Sequence, residues 1–568
     1  MDRGGRNRTD VSMPARERIR WFAAVLVVAA LAFGTSCQTS EGGDGGVSSG
    51  STPRENSGIV TSDDAPTTGG KIVYGLNAET NGWNPGSNQW APAGLQVMRT
   101  FFDTLSAFDE QGDVHPYLAQ SFEHNADFTE WTINLRPDVK LHNGELVTAE
   151  TVVRNQQYLK ASPVTKQAYV YIDSFEATSP TTVLLRLPRP WVSLPSIFAT
   201  QIGVVADPTW LESNDGLRPI GTGPFTFDEW KIGSELTVKR NTDYWQTDAG
   251  GRSYPYLDEV EFKVITDNTS RSDALEAGDV DIIQTASPDT IVEFQEPGTS
   301  GDYQLILDSG GEMAEVFIQL NTAVAPFDDP QARRALALAT DKQFIVDEVQ
   351  RGLFEPANGP YAPGSPWYTE SGYPQFNPDQ ARALVESVKA THGGTFSFAV
   401  KGAAEVTTQR MLQLLQQQWK DVGIDVSIET VEQAKLIINV VTGDYQAVQW
   451  QQFDSAAPVN DTVWWAPENA TTPPEFSLNF ARYKNPEVGT AIAQLRENED
   501  PAIQREAIAT VQRLMGTDVP YLWLYHAQFA IIATPKLVNV TRYTLPDGAP
   551  GLGLHMGAHP LHQVWLTD

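Results

Sequence analysis

Cysteine is almost missing from this chain: Cys37 is the single thiol in 568 residues. A disulfide framework is thereby excluded, as is a Cys-based zinc site or a catalytic thiol in the body of the protein. Positive charge is scarce too, with 40 Lys and Arg against 71 Asp and Glu and a formal net charge of −31. Such a balance argues against nucleic acid and anionic lipid surfaces as partners and fits a soluble, secreted protein. The metalloprotease pattern H-E-x-x-H does not occur. Without disulfides, stability must come from the core, and 15 Trp, 24 Phe and 17 Tyr make a large one feasible.

What is present begins at the amino terminus. Six arginines, from Arg3 to Arg20, precede the uncharged run "WFAAVLVVAALAFG", fourteen residues from Trp21 to Gly34. A basic region, a short apolar run and then small residues make residues 1–36 a secretory signal. The run falls short of the about twenty apolar residues that a permanent membrane span needs. Against Asp2, Asp10 and Glu17 the six arginines leave the signal at +3, so its removal takes the chain to −34. Cys37, directly after Thr35 and Ser36, resembles the lipobox cysteine of bacterial lipoproteins, which is acylated after cleavage. That resemblance implies lipidation at Cys37 and an extracytoplasmic body held to the cell membrane by the lipid alone. Residues 37–70 are Gly, Ser, Thr and acid with little to bury, a composition expected to stay disordered. As a flexible tether they would reach about 30 Å.

The body, residues 71–568, mixes period-two alternation with helical stripes and reads as α/β. "KIVYGL", "EWTINL", "TTVLLRL" and "ELTVKRN" are expected strands. Thr148 is expected to cap one helix, Asp329 with Pro330 to start another, and Asp341 a third. In "GTFSFAVKGAAEVTTQRMLQLLQQQWKDVGIDVSIET", Phe396, Phe398 and Val400 alternate as a strand. Met411, Leu415, Trp419 and Val422 stripe a helix, Gly423 stops it, and Ile424, Val426 and Ile428 alternate again. This is a βαβ unit with two parallel strands. A later strand, "YQAVQW", is expected to end at Trp450. Ligands tend to bind beyond the carboxyl ends of parallel strands. The rule singles out Lys401, one residue past the first strand, and the loop "QQFDSAAPVNDTVWW" after Trp450.

Several segments, in order, resemble the family 5 extracellular solute-binding proteins, the peptide- and nickel-type receptors of ABC importers. They are "DEQGDVHPYLAQSFEHNADFTEWTINLRPDVKLHNGELVTAETVV", "RPIGTGPFTFDEW", "VKRNTDYW", "LNTAVAPFDDPQARRALALATDK" and "QARALVESV". The resemblance spans essentially all of 71–568. It implies a two-lobed, hinged fold of the large type II cluster: lobe I from 71–98, 219–312 and 526–568, an extra subdomain 99–218, and lobe II 313–525. It further implies a monomeric, non-enzymatic receptor without a cofactor, whose partners are a peptide or other small solute and an ABC permease with its ATPase. Gly221, Gly223 and Pro224 fit a tight backbone turn, since no Lys-Ser/Thr follows to make a phosphate cradle. Arg136, Asp328 and Arg333 read as scaffold.

By the same resemblance, Asp454, four residues after Trp450, is expected to meet a peptide ammonium, with Asp461 as the competing carboxylate. Phe453 and Gln452 accompany Asp454, Lys401 would face the peptide carboxylate, and Trp90 would touch ligand from the first lobe. Trp464 and Trp465 are divided between cleft and core. Gln449, Gln451 and Gln452 beside Trp450 keep an oligosaccharide ligand as an alternative, because amides and aromatic faces suit sugar rings. A secreted glycoside hydrolase is the remaining enzyme alternative, since carboxylate pairing in space is invisible in sequence. His555, His559 and His562 would suit a helix face, but Gly557 and Pro560 oppose one, so no metal is expected there.

Overall fold

The computed structural model describes residues 56–567 apart from 63, 89, 163, 214, 309–313, 405 and 454. The expected signal and Cys37 lie outside the described residues. The end of the expected tether, however, is docked on the body. Ser57 bridges Leu305, the Gly69 N–H donates to Tyr256 O at 2.8 Å, and Ile59 and Val60 pack against apolar clusters. Free coil up to residue 70 is therefore corrected: two apolar side chains in a polar stretch found cover on the body.

Two large sheets organise the body. The first has seven strands in the order Gln304–Leu307, Ala530–Ala533, Ile282–Thr285, Lys71–Leu76, Glu259–Val264, Glu235–Arg240 and Phe225–Lys231. Lys71–Leu76 lies parallel to both of its neighbours, and the outer strands are antiparallel. The second has six strands, ordered Glu355–Pro356, Tyr521–Ala527, Ala314–Leu320, Ala447–Phe453, Ser397–Ala403 and Asp425–Val431. Every residue of Ala314–Leu320 and Tyr521–Ala527 is buried, so these two form its core. The chain passes between the sheets twice, from Leu307 to Ala314 and from Ala527 to Ala530. At the start of the first passage the Asp308 N–H donates to Phe529 O at 2.8 Å, and Gln528 Nε2 of the second donates to Asp308 O at 3.0 Å.

A four-stranded antiparallel sheet, Ala119–His124, Glu130–Leu135, Thr182–Arg186 and Ser174–Ser179, stands apart from both. Trp131, Ile133 and Leu135 face its core as their alternation requires. Helix Ala149–Ala161 packs on it. This helix begins where Thr148 Oγ1 accepts the Thr151 N–H at 3.2 Å and Thr151 Oγ1 accepts the Thr148 N–H, a reciprocal cap.

The βαβ unit is present, with strands Ser397–Ala403 and Asp425–Val431 parallel and helix Val406–Asp421 between them. Met411, Leu415 and Trp419 are buried, and Trp419 Nε1 donates to Thr340 Oγ1 at 3.0 Å. Gly423 turns out of the helix at φ +90°. Two strand ends differ from expectation. The first strand runs to Ala403, so Lys401 lies within it, and the strand containing Trp450 runs to Phe453. Side-chain alternation had run out, but ladder pairing had not: Phe453 is still paired with Ala314, and Ala403 with Val431.

The Gly221–Pro224 segment is confined by space, with no left-handed backbone at either glycine. A Cβ on Gly221 would sit 2.1 Å from Phe101 O, and one on Gly223 2.5 Å from Phe101 C and Thr100 O. The Gly223 N–H donates to Phe101 O at 2.9 Å, closing the carboxyl end of helix Pro92–Phe101. Gly223→Ala is expected to force the helix end and this segment apart, at a cost of about 1–3 kcal/mol. Urea unfolding should show a lowered midpoint with an unchanged slope, and an unchanged midpoint would mean that the segment relaxes freely.

Candidate functional site

Three parts of the chain enclose one cavity of about 440 Å³. Helix Pro92–Phe101 and the two residues before it supply Trp90, Met98 and Arg99; the four-stranded subdomain supplies Tyr171, Trp191 and Gln201. The six-stranded lobe supplies Trp450, Gln452, Asp461, Trp464, Phe480 and Arg496. A mainly apolar wall of this volume with a few convergent polar groups is the usual form of a small-molecule site. Hydrogen bonds close the seam between subdomain and lobe. The Val192 N–H donates to Arg496 O at 2.9 Å, Ser196 Oγ to Asn460 Oδ1 at 3.2 Å, and the Tyr171 hydroxyl to Glu468 Oε1.

The aromatic wall is held by local packing. Trp90 donates Nε1 to Gly82 O at 3.1 Å and lies over Phe102, with ring centroids 6.2 Å apart. Trp450 meets the edge of Phe480 at 5.8 Å, and Trp464 packs on the same ring at 5.2 Å. Trp465 turns away into the core against Tyr361, so the Trp464–Trp465 pair divides between cleft and core.

Of the residues singled out from the sequence, Trp90, Trp450 and Gln452 are brought together in this wall. Asp454 lies outside the described residues, and Phe453 is described by its backbone alone. Lys401 is not brought to the cavity. It lies beside Val448 at the amino end of the neighbouring strand, where Nζ donates to Asp444 O at 2.5 Å and stands 3.9 Å from a Glu429 carboxylate oxygen. The cause is the longer strand, which leaves Lys401 short of the carboxyl edge. Asp461 is buried at the wall, accepting the Tyr361 hydroxyl at 2.9 Å and the Ser455 N–H at 3.1 Å. It is the only acidic side chain among the described residues of the wall.

The sequence reading missed the cationic groups of the wall. Arg99 Nη2 stands 3.0 Å from His555 Nδ1. Arg496 stacks its guanidinium on Tyr171, 3.7 Å from the ring centroid, with Trp191 at 5.8 Å. No local signal marked either residue: each is the ordinary basic residue of a helix's last turn. The other singled-out groups are structural. Arg333 donates to Asp518 O at 2.6 Å and Phe327 O at 2.7 Å, and Arg136 to Tyr117 O at 2.7 Å. His559 and His562 are buried, and burial brings both down to about 3.

Behind the wall lies a buried polar cluster. Glu315 sits between Gln452 and His526 across the sheet, with one carboxylate oxygen unpartnered. Burial, and then the nearby Asp461, push its pKa up and hold it as the neutral acid. Burial and then the Lys342 charge lower His526 to about 3. Lys342 itself donates to Ala357 O and to Asn358 Oδ1 (2.6 Å) and lies 4.4 Å over the Tyr373 ring.

The architecture is that of a two-lobed periplasmic binding protein. Structures of such proteins overlay closely: AgaA from A. tumefacien R10 in complex with agropinic acid has a TM-score of 0.75, at 22% identity over 88% of this chain and 99% of that one. AppA from Bacillus subtilis, in complex with a nonapeptide, has a TM-score of 0.72 at 23% identity over 89% and 100%. Residues 113–477 match the model of the bacterial extracellular solute-binding proteins, family 5 (middle), and the chain belongs to that family. Among curated relatives, the glutathione-binding protein GsiB of Pectobacterium atrosepticum is 26% identical over 465 residues, 79% of this chain and 87% of that protein. The Shigella flexneri protein of the same name is 27% identical over 443 residues, 75% and 83%.

Burial lowers Lys342 from the ordinary 10.5 to about 7, so between these values the unfolded chain binds the extra proton. This group's contribution is thus fully present above 10.5 and is lost as pH falls towards 7, on the order of 1 kcal/mol per pH unit. Lys342→Met should flatten the rise of stability between pH 7.5 and about 9.5 in paired denaturant titrations. Parallel curves for parent and variant would place the lysine's titration elsewhere.

Proposed function

We propose that the chain is an extracytoplasmic receptor that captures a peptide-like solute and delivers it to the permease and ATPase of an ABC importer. The observation that carries this is the enclosed aromatic cavity between the two sheet-based lobes. Family membership and the glutathione-binding relatives support the peptide-like class. On this reading lobe I comprises 71–98, 219–312 and 526–568, the subdomain 99–218, and lobe II 313–525. The body acts as a monomer, without turnover of its solute. Cys37 carries the lipid that holds it outside the membrane. Metabolic labelling with a fatty-acid analogue should tag the parent protein, and Cys37→Ala should lose the tag and release the body to the medium. A variant that stays on the membrane would count against the anchor.

Within the cavity Trp450, Gln452 and Trp90 contact the solute, and Asp454, the next residue after the strand carrying Trp450, meets its ammonium. Phe453 belongs to the same stretch. A carboxylate opposite a buried ammonium makes a charge-assisted hydrogen bond. Removing it strands the charge, at about 2–5 kcal/mol. Calorimetry with glutathione and a tripeptide panel should therefore show Asp454→Ala weakening binding by roughly thirty-fold or more. N-acetylated peptides should bind the parent protein poorly. Equal affinity for free and acetylated peptides would remove the ammonium from the account. An oligosaccharide is the second reading, favoured by Gln449 and Gln452 beside Trp450 and Trp464 in the wall. Retention of glycans, and not of peptides, on the immobilised protein would decide for it.

A further inference from the structure

The wall's charge runs against that of the protein. The chain carries −31 overall, yet the described residues of the wall include Arg99 and Arg496 against the single carboxylate of Asp461. Arg496 is the more exacting of the two arginines. It is 6% exposed, its Nε is buried without a hydrogen-bond partner, and no carboxylate of the described residues lies within 4.0 Å of it. Stacking on Tyr171 and Trp191 fixes the guanidinium plane at the seam between lobe II and the subdomain. The Tyr171 hydroxyl donates to Glu468 and is also a side-chain hydrogen-bond partner of Arg496. A buried cation with a neutral hydroxyl and two rings around it, and no carboxylate of the described residues in contact, is costly, because aromatic faces return only part of its hydration. Such a group persists where something else brings the counter-charge.

We propose that Arg496 reads an anionic group of the solute, a carboxylate in a peptide-like molecule, at the seam where the cleft closes. This assignment rests on the solute reading made above. A planar guanidinium presents paired N–H donors that suit a carboxylate, and pre-positioning by two rings reduces the entropy lost on binding. Because the stack joins lobe II to the subdomain, the anion is fully enclosed only when the cleft is shut. Arg496 thus takes the place first expected for Lys401.

The test compares acid and neutralised forms of one probe. Titrate the full-length protein, Arg496→Gln and Arg496→Lys with trialanine and trialanine amide, and with glutathione and its diethyl ester, following tryptophan fluorescence. The parent should bind the acid forms at least tenfold more tightly than the neutralised ones. In Arg496→Gln that gap should shrink below threefold, with Arg496→Lys between. The unliganded Arg496→Gln protein should melt no lower than the parent, whereas a purely structural arginine would lower the melting point. Equal binding of acid and neutralised probes by the parent, or a gap that survives in Arg496→Gln, overturns the proposal. If none of these probes binds, the peptide reading fails, and the solute released from protein purified from its host decides this one. A solute without an anionic group overturns the Arg496 assignment, and an anionic non-peptide supports it while rejecting only the peptide.

Discussion

Two connections carry the chain between its large sheets, and the cavity draws its wall from both of the parts they join. The connections are Leu307 to Ala314 and Ala527 to Ala530, and at the start of the first Asp308 is bonded to Gln528 and Phe529 of the second. On the receptor reading proposed above, these connections are the hinge about which the two sheets pivot while each ladder stays intact. The cleft lies between the bodies so joined, and its far rim is closed by contacts between the subdomain and lobe II. The seven-stranded sheet packs Ile72, Tyr74 and Phe262 in one cluster, and the six-stranded sheet packs Phe317, Trp419 and Trp523 in another.

How charge is handled follows from that division. Behind the wall, ionisable groups are kept neutral or counter-bonded: Glu315 is held as the acid, His526 is pushed down to about 3, and Asp461 takes two donors. Glu315 and His526 lie on adjacent strands of the six-stranded sheet with Asp461 near Glu315, where a stranded buried charge costs stability. On the proposed receptor reading, the same cost at the seam falls on the closed state alone, because an open cleft returns the group to water. An under-compensated arginine is tolerable there and intolerable in the core. By contrast, Arg333 spends its donors on the carbonyls of Asp518 and Phe327, since nothing arrives later to satisfy them.

The sequence carried the local grammar of this fold well. The helix stripe of Met411, Leu415 and Trp419, the caps at Thr148, Asp329 and Asp341, and the parallel pair around them all depend on neighbours within a few turns. The wall was legible where it lies on such an element, as with Trp450 and Gln452 on their strand, and at Trp90 through the family resemblance. Lys401 was misplaced because ladder pairing, unlike side-chain alternation, leaves no periodic trace at a strand's end. Arg496 was invisible for a different reason. Its partners Tyr171 and Trp191 belong to another part of the chain, and no spacing rule links them.

The rim contacts also bear on how an empty receptor avoids closing. Val192 to Arg496 and Ser196 to Asn460 are single hydrogen bonds, each worth about 0.5–1.5 kcal/mol net. Alone they give the closed form a modest advantage, and solvating the same groups in an open cleft takes much of it back. On the proposal that closing buries the Arg496 guanidinium without a counter-charge in contact, the empty cleft carries a penalty that an anionic solute removes. The solute's differential affinity for the two states then sets the closed population, as any ligand-driven shift requires. A neutral solute would enjoy the same aromatic wall but would leave that penalty standing. On the Arg496 proposal, discrimination by charge and commitment to the closed form are one physical event, not two successive steps.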